Sequence, residues 1–159
     1  MMIFRMFFIS AMFSFLGCTR SEFLQFQEMK GGWDLEHPIE FSFPTPESKN
    51  NHHVFLYVHN DHNYPFSNLF VITELTFPNQ TKQIDTLQFE MATKEGASLG
   101  KGWLDVKEHK LWIYENIDLK QEGTYTFRVR QAMRTINSVA GIEKLAGILD
   151  VGLGIESVD

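Results

Sequence analysis

Gly123-Thr124-Tyr125-Thr126-Phe127-Arg128-Val129-Arg130-Gln131 alternates between polar and apolar side chains from Thr124 to Arg130. A period of two places Tyr125, Phe127 and Val129 on one face of an extended strand and Thr124, Thr126, Arg128 and Arg130 on the other. Such a strand has one face on a core and one in water. The same period recurs on both sides of it. Ile39, Phe41 and Phe43 alternate with Glu40 and Ser42 until Pro44-Thr45-Pro46 ends the run. Leu69, Val71, Leu75 and Phe77 share one strand face, Pro78-Asn79-Gln80-Thr81 makes a turn, and Leu87, Phe89 and Met91 point inward from the next strand. Those two strands read as a hairpin. Residues 53–60 are apolar on both faces, which marks a central strand. Leu111, Ile113 and Ile117 share a face from which Trp112 is out of phase. At the C-terminal side, Leu149, Val151, Leu153 and Ile155 alternate with Asp150, Gly152, Gly154 and Glu156.

With a short first segment at 22–26, these runs predict seven or eight strands and an all-β, antiparallel β-sandwich, Ig-like or jelly-roll. Residues 132–146 are ambiguous. Met133, Ile136, Val139 and Ala140 recur at helical spacing, but Gly141 and Gly147 interrupt them, so the segment is a short helix or an irregular connection. Gln121-Glu122-Gly123-Thr124-Tyr125 is similar to a tyrosine corner, in which the phenol bonds back to the preceding backbone.

The sandwich is preceded by a targeting signal. Arg5 is the only charge in an N-terminal run that continues Met6-Phe7-Phe8-Ile9-Ser10-Ala11-Met12-Phe13-Ser14-Phe15-Leu16 and closes on Gly17-Cys18. The run is shorter than the roughly 20 apolar residues of a membrane span. A large apolar pair, a small residue and Cys resembles the lipobox of bacterial lipoproteins. That resemblance implies a diacylglycerol on the Cys18 thiol, cleavage before Cys18 and acylation of the new amino group. The expected organisation is a removed signal peptide at 1–17, a lipidated tether with a first short strand at 18–30, and one sandwich domain at 31–159.

The chain has 159 residues, 14 Lys and Arg against 20 Asp and Glu, and a single cysteine. Its acidic balance, with no basic cluster, argues against nucleic acid as a partner and against electrostatic binding to an anionic membrane. With Cys18 acylated, no thiol remains for a disulfide, so packing alone must hold the domain. Fifteen Phe suit a β-rich core.

Residues that could carry chemistry are few. His53 and His59 share a strand face but stand roughly 20 Å apart at the rise of a strand, too far for one metal. His59, Asp61 and His62 could meet across a loop, yet polar loop side chains more often cap turns. Glu74 and Glu90 lie on outward faces, where carboxylates solubilise. The serines lack a nucleophile elbow, and Gly96 to Gly102 lacks the strand–helix context of a phosphate loop. The sequence therefore points to no catalytic residue, metal or cofactor. Aromatics are the better binding candidates: Trp33 and Trp103 in or beside loops, Trp112 on a strand, and Tyr64-Pro65-Phe66 at a loop apex. Each could equally plug an open end of the sandwich. If the indoles are exposed, a carbohydrate-binding sandwich is the alternative function.

Three places together resemble the gliding motility-associated lipoprotein GldH family of Bacteroidetes. They are Cys18 in its lipobox, Asn63-Tyr64-Pro65-Phe66-Ser67-Asn68-Leu69-Phe70, and the pair Gln131-Ala132-Met133-Arg134 with Gly147-Ile148-Leu149-Asp150-Val151-Gly152-Leu153-Gly154-Ile155-Glu156. The Gly100-Lys101-Gly102 loop is also similar. On the residues themselves, Pro65 favours a tight turn, Gly152 and Gly154 let something approach the strand closely, and the Arg134 guanidinium is within reach of Asp150 or terminal carbonyls. The resemblance implies a non-enzymatic, periplasm-facing accessory of the gliding apparatus. It would be held in the membrane by the acyl chains on Cys18 and would act through other envelope or gliding-machinery lipoproteins. Tyr64, Pro65, Phe66, Trp33, Trp103 and Arg134 are the candidate interaction surface. Thr19 after Cys18, in place of an inner-membrane retention aspartate, favours the outer membrane. The oligomeric state is not encoded in any of these features.

Overall fold

The computed structural model describes residues 21–102, 104–136 and 138–158, and among them every regular element is a strand. In chain order these are β1 (Ser21–Glu28), β2 (Trp33–Asp34), β3 (Ile39–Pro44), β4 (His52–Asn60), β5 (Asn68–Thr76), β6 (Lys82–Glu90), β7 (Lys107–Ile117), β8 (Thr124–Gln131), β9 (Lys144–Leu145) and β10 (Ile148–Ser157). One four-stranded sheet has the order β1-β10-β4-β7, the other β3-β8-β5-β6, and β2 pairs with β9 as a separate ribbon. All pairings are antiparallel. Setting aside the two-residue ribbon, the eight long strands run first-eighth-third-sixth in one sheet and second-seventh-fourth-fifth in the other. That order is the double Greek key of a jelly roll, so of the two sandwich topologies the jelly roll is the one formed.

The period-two residues meet between the sheets. Phe41, Phe43, Leu69, Val71, Leu75, Tyr125, Phe127 and Val129 from one sheet pack on Val54, Leu56, Val58, Val151, Leu153 and Ile155 from the other, all buried. Central strand β4 lies between β10 and β7, as its two apolar faces require. β5 and β6 form the expected hairpin in continuous register. β1 pairs with β10 along its length, from Ser21 opposite Glu156 to Glu28 opposite Asp150. The sandwich thus begins ahead of the residue-31 boundary expected from the sequence.

Register slips in two strand pairs change which side chains go inward. Between Ile148 and Asp150 the register with β4 slips by one, so Ile148 is buried and Leu149 only half-buried. Slips in the β4–β7 register put Tyr114 opposite inward Val54, and its hydroxyl crosses to Asp85 Oδ2 of β6 at 2.8 Å.

The described residues of 132–147 form an irregular connection carrying the short β9. Ile136 and Val139 are each 89% exposed, so the helical spacing there is not an amphipathic face. Met133 alone of that set turns into the core, and the segment is pinned where Arg134 bridges to Gly141. The tyrosine corner also differs from expectation. Tyr125 is fully buried, but its hydroxyl lies near the Gln121 backbone without hydrogen-bond geometry to any partner. Thr45 does the joining instead. Its hydroxyl donates to the Gln121 carbonyl at 2.9 Å and accepts from the Gly123 amide at 2.9 Å.

Candidate functional site

The jelly roll has two unlike ends. At one lie the start of β1, the end of β10 and the charged loops 45–51 and 118–123. At the other, loop 61–67 and residues from 91–98 and 104–107 line a cleft of about 560 Å³. Its lining includes Asn60, Asp61, His62, Tyr64, Phe66 and Lys107, with Met91 and Leu104 supplying apolar wall.

Local chemistry fixes the Tyr64-Pro65-Phe66 edge of this cleft. Asp61 Oδ1 accepts from the Asn63 amide at 2.9 Å and Oδ2 from its side chain at 2.9 Å, an Asx turn that bends the chain out of β4. The Tyr64 hydroxyl donates to the Asn68 carbonyl at 2.6 Å and closes the loop over Pro65. Burial pushes the Tyr64 phenol well above its ordinary range, so it remains a donor. Tyr64 and Phe66 meet edge to face at 5.9 Å, and Pro65 is exposed. From beneath, Gly147 holds the loop. Its carbonyl accepts from the Asp61 amide at 2.9 Å, its φ is +79°, and a Cβ there would strike the Tyr64 backbone.

The outer face of the β1-β10-β4-β7 sheet is a second surface. Register aligns Leu24, Gly154, Phe55 and Trp112 in one row across the sheet, and Phe26, Gly152, Tyr57 and Lys110 in the next. The two glycines make room for rings. A Cβ on Gly152 would meet the Phe26 ring at 2.5 Å, and one on Gly154 the Tyr57 ring at 2.6 Å. Lys110 Nζ sits 3.9 Å from the Phe55 ring centroid and 2.7 Å from Glu156 Oε1. A third row, Glu28, Asp150, His59 and Glu108, is acidic apart from its histidine. His59 Nδ1 is 2.6 Å from Asp150 and Nε2 is 2.9 Å from Glu108. Burial works against charge on this ring, but its hydrogen bonds to both carboxylates outweigh that, and the His59 pKa is raised from its ordinary value. Behind it, His109 is pushed the other way by its own burial and then by the charge of His59.

These positions sort the sequence candidates. Tyr64, Pro65 and Phe66 form one edge of the cleft. Trp33 is fully buried in β2 beside Leu145, which corrects its place on an interaction surface: it plugs the sandwich. Arg134 is exposed on the irregular connection, and Asp150, one of its two expected partners, is taken by His59. Trp103 and Cys18 lie outside the described residues. Trp112 is 51% exposed and carries the carbohydrate reading alone among the described indoles. The His59, Asp61 and His62 set is not assembled. The two nitrogens of His59 point to carboxylates on opposite sides, Asp61 serves Asn63, and no group of three metal-ligating side chains occurs among the described residues. Glu74 pairs with Lys82 at 3.0 Å. Sequence reasoning missed the aromatic face. Gly152 and Gly154 were its signal, but which rings cover them depends on strand register.

Residues 21–155 match the sequence profile of the family described as GldH lipoprotein. The chain belongs to the GldH lipoprotein family. A gliding motility lipoprotein GldH homolog of Christiangramia forsetii is 36% identical over 152 residues, covering 96% of this chain and 94% of its own. The gliding motility lipoprotein GldH of Flavobacterium johnsoniae is 34% identical over 137 residues, covering 86% and 85%. Among solved structures, dimeric latent PorU from Porphyromonas gingivalis aligns at 10% identity and TM-score 0.38, over 84% of this chain and 12% of that one. So loose a likeness carries no argument. Parts of the stretches that resemble GldH meet at the cleft end: Tyr64 to Ser67 line the cleft, Gly147 braces that loop, and Met133 Sδ accepts from the Phe70 amide at 3.2 Å.

Proposed function

We propose that this chain is an envelope lipoprotein, anchored by acyl chains on Cys18, that serves a gliding-motility apparatus by protein–protein contact and not by catalysis. The observation that carries this is the match across nearly the whole folded domain to relatives named gliding motility lipoproteins. The Tyr64-Pro65-Phe66 edge of the cleft is the contact we assign to a partner, with Arg134 exposed on the same end of the domain. The partners are other envelope or gliding-machinery lipoproteins. The domain faces the periplasm, and the residue after Cys18 favours the outer membrane.

Deletion of the gene, followed by in-cell crosslinking of the restored protein, tests this. Gliding or protein secretion is lost in the deletion, and neighbouring lipoproteins crosslink to the wild type but not to a Pro65→Ala, Phe66→Asp variant of equal abundance. Unaltered movement and secretion, with no neighbour recovered, would refute the role. The anchor is tested separately. One acyl chain holds marginally, at about 0.8 kcal/mol per buried methylene, whereas two hold stably. Cys18→Ala protein is expected to stay folded and leave the membrane fraction. Its persistence there after a high-salt wash contradicts the anchor.

A further inference from the structure

The anchor and the fold are separated by almost no chain. β1 starts at Ser21, three peptide steps after Cys18, a reach of about 10 Å at full extension. The domain therefore has no stalk, and whatever surrounds the start of β1 lies against the headgroups. Two placements follow. An upright domain would press its end loops on the bilayer, where Glu47, Lys49, Asp118, Lys120 and Glu122 are all exposed. A reclining domain would instead lay down the outer face of the sheet to which β1 belongs.

That face has a graded composition running away from the anchor. At about 3.3 Å per residue, Leu24 is about 10 Å along β1 from Ser21, Phe26 about 16 Å and Glu28 about 23 Å. Leu24 is 53% exposed, Phe26 40% and Trp112 51%. The row from Leu24 over Gly154 and Phe55 to Trp112 crosses all four strands, about 14 Å at ordinary strand spacing. The charges nearest that row, Lys110 and Glu156, neutralise each other at 2.7 Å. The unbalanced acidic row of Glu28, Asp150 and Glu108 is the one farthest from the anchor. Exposed indole, phenyl and leucine side chains favour the membrane–water interface, whereas carboxylates do not.

We propose that the Ser21 end of this sheet face rests on the bilayer, with Leu24, Phe26 and Trp112 inserted at headgroup level. The acidic row tilts away, and the cleft at the opposite end of the strands points from the membrane toward the periplasm. The domain is then held by its acyl chains and by a fixed side, so that its cleft keeps one orientation. This inference rests on acylation of Cys18.

The test uses the acylated protein in phosphatidylethanolamine vesicles whose lipid chains are brominated near the headgroup. The difference in emission between wild type and Trp112→Phe isolates Trp112 from the other indoles. Trp112 is expected to lose most of its emission in brominated vesicles and to regain it in a Leu24→Glu, Phe26→Glu variant. An environment-sensitive label on Leu24→Cys gives the same answer without altering Trp112, through a blue shift on reconstitution. If the N-terminal peptide is acylated but Trp112 is unquenched and the label unshifted, the proposal is overturned and the face is left to a protein or glycan partner. If Cys18 is not acylated, the anchor itself falls and this inference with it.

Discussion

Replacing Gly147 by Ala should damage the domain far more than the same change at Gly96, although both glycines have left-handed backbones, with φ of +79° and +86°. Moving a β-carbon into that region costs about 1–2 kcal/mol at either site. Nothing lies within 4 Å of the new methyl at Gly96. At Gly147 the methyl runs into the backbone of Asn63 and Tyr64, atoms that cannot swing aside as a side-chain tip would. Wedging an atom into packed structure costs typically about 1–3 kcal/mol. The 2.9 Å bond from the Asp61 amide to the Gly147 carbonyl is also at risk, and is worth about 0.5–1.5 kcal/mol. Gly147→Ala should therefore cost about 2–5 kcal/mol from strain and crowding, up to about 6 kcal/mol if that bond is also lost, and Gly96→Ala about 1–2 kcal/mol. Urea unfolding of a soluble form beginning after Cys18 reads this directly, because an unchanged slope makes the midpoint shift a stability difference. Asparagine sharpens the comparison, since it tolerates the left-handed region. Gly96→Asn should be close to neutral, while Gly147→Asn stays damaging. Equal effects at the two sites would show that Gly147 is kept for backbone conformation alone and does not brace the cleft loop.

Tyr125→Phe should leave stability unchanged or raise it slightly, because the buried hydroxyl has no partner to lose. Thr45→Val should cost about 0.5–1.5 kcal/mol by removing the hydroxyl's bonds to the exposed Gln121 and Gly123 backbone groups, and urea midpoints of the two variants decide between them. His59, with its pKa raised in the fold, contributes stability that is complete below the unfolded value of about 6.5 and fades as pH rises through the folded value. His109, lowered by burial, acts oppositely: its contribution is present above the unfolded value and lost as pH falls through the folded one. In thermal melts across pH, His59→Gln should remove the loss on the alkaline side of neutrality and keep the loss in acid. An unchanged alkaline limb would mean that the Glu108 and Asp150 contacts do not hold the proton on His59.

Much of the sandwich was legible because its period is local. Tyr125, Phe127 and Val129 need only their own spacing to declare an inward face, and the hairpin of β5 and β6 needs only its turn. What was not legible depends on which strand neighbours which. Ig-like and jelly-roll sandwiches share one period and differ in strand order, which pairing across the whole chain decides. The bulge at Leu149 and the inward turn of Tyr114 are register events of the same kind. In residues 132–146 apolar spacing misled, because Ile136 and Val139 face water while Met133 is held inside by β5. The cleft was half visible. Tyr64, Pro65 and Phe66 stood out at a loop apex, but the wall supplied by Met91, Leu104 and Lys107 comes from segments that only the fold brings there.

The pairing of β1 with β10 sets an order of events for the chain as it is made. With the anchor proposed at Cys18, β1 is the described strand nearest the lipid and is made first, and its only strand neighbour among the described residues is β10, the last of them to be made. Until β10 arrives, β1 holds its apolar Phe23, Leu24 and Phe26 with neither a core nor a sheet to receive them. Closing contacts between distant parts of a chain is slow, and strands left waiting invite wrong pairings. If the lipid is attached early, it tethers this unpaired strand to the membrane while the rest of the chain follows. The bilayer would then shelter the unfinished protein before it anchors the finished one.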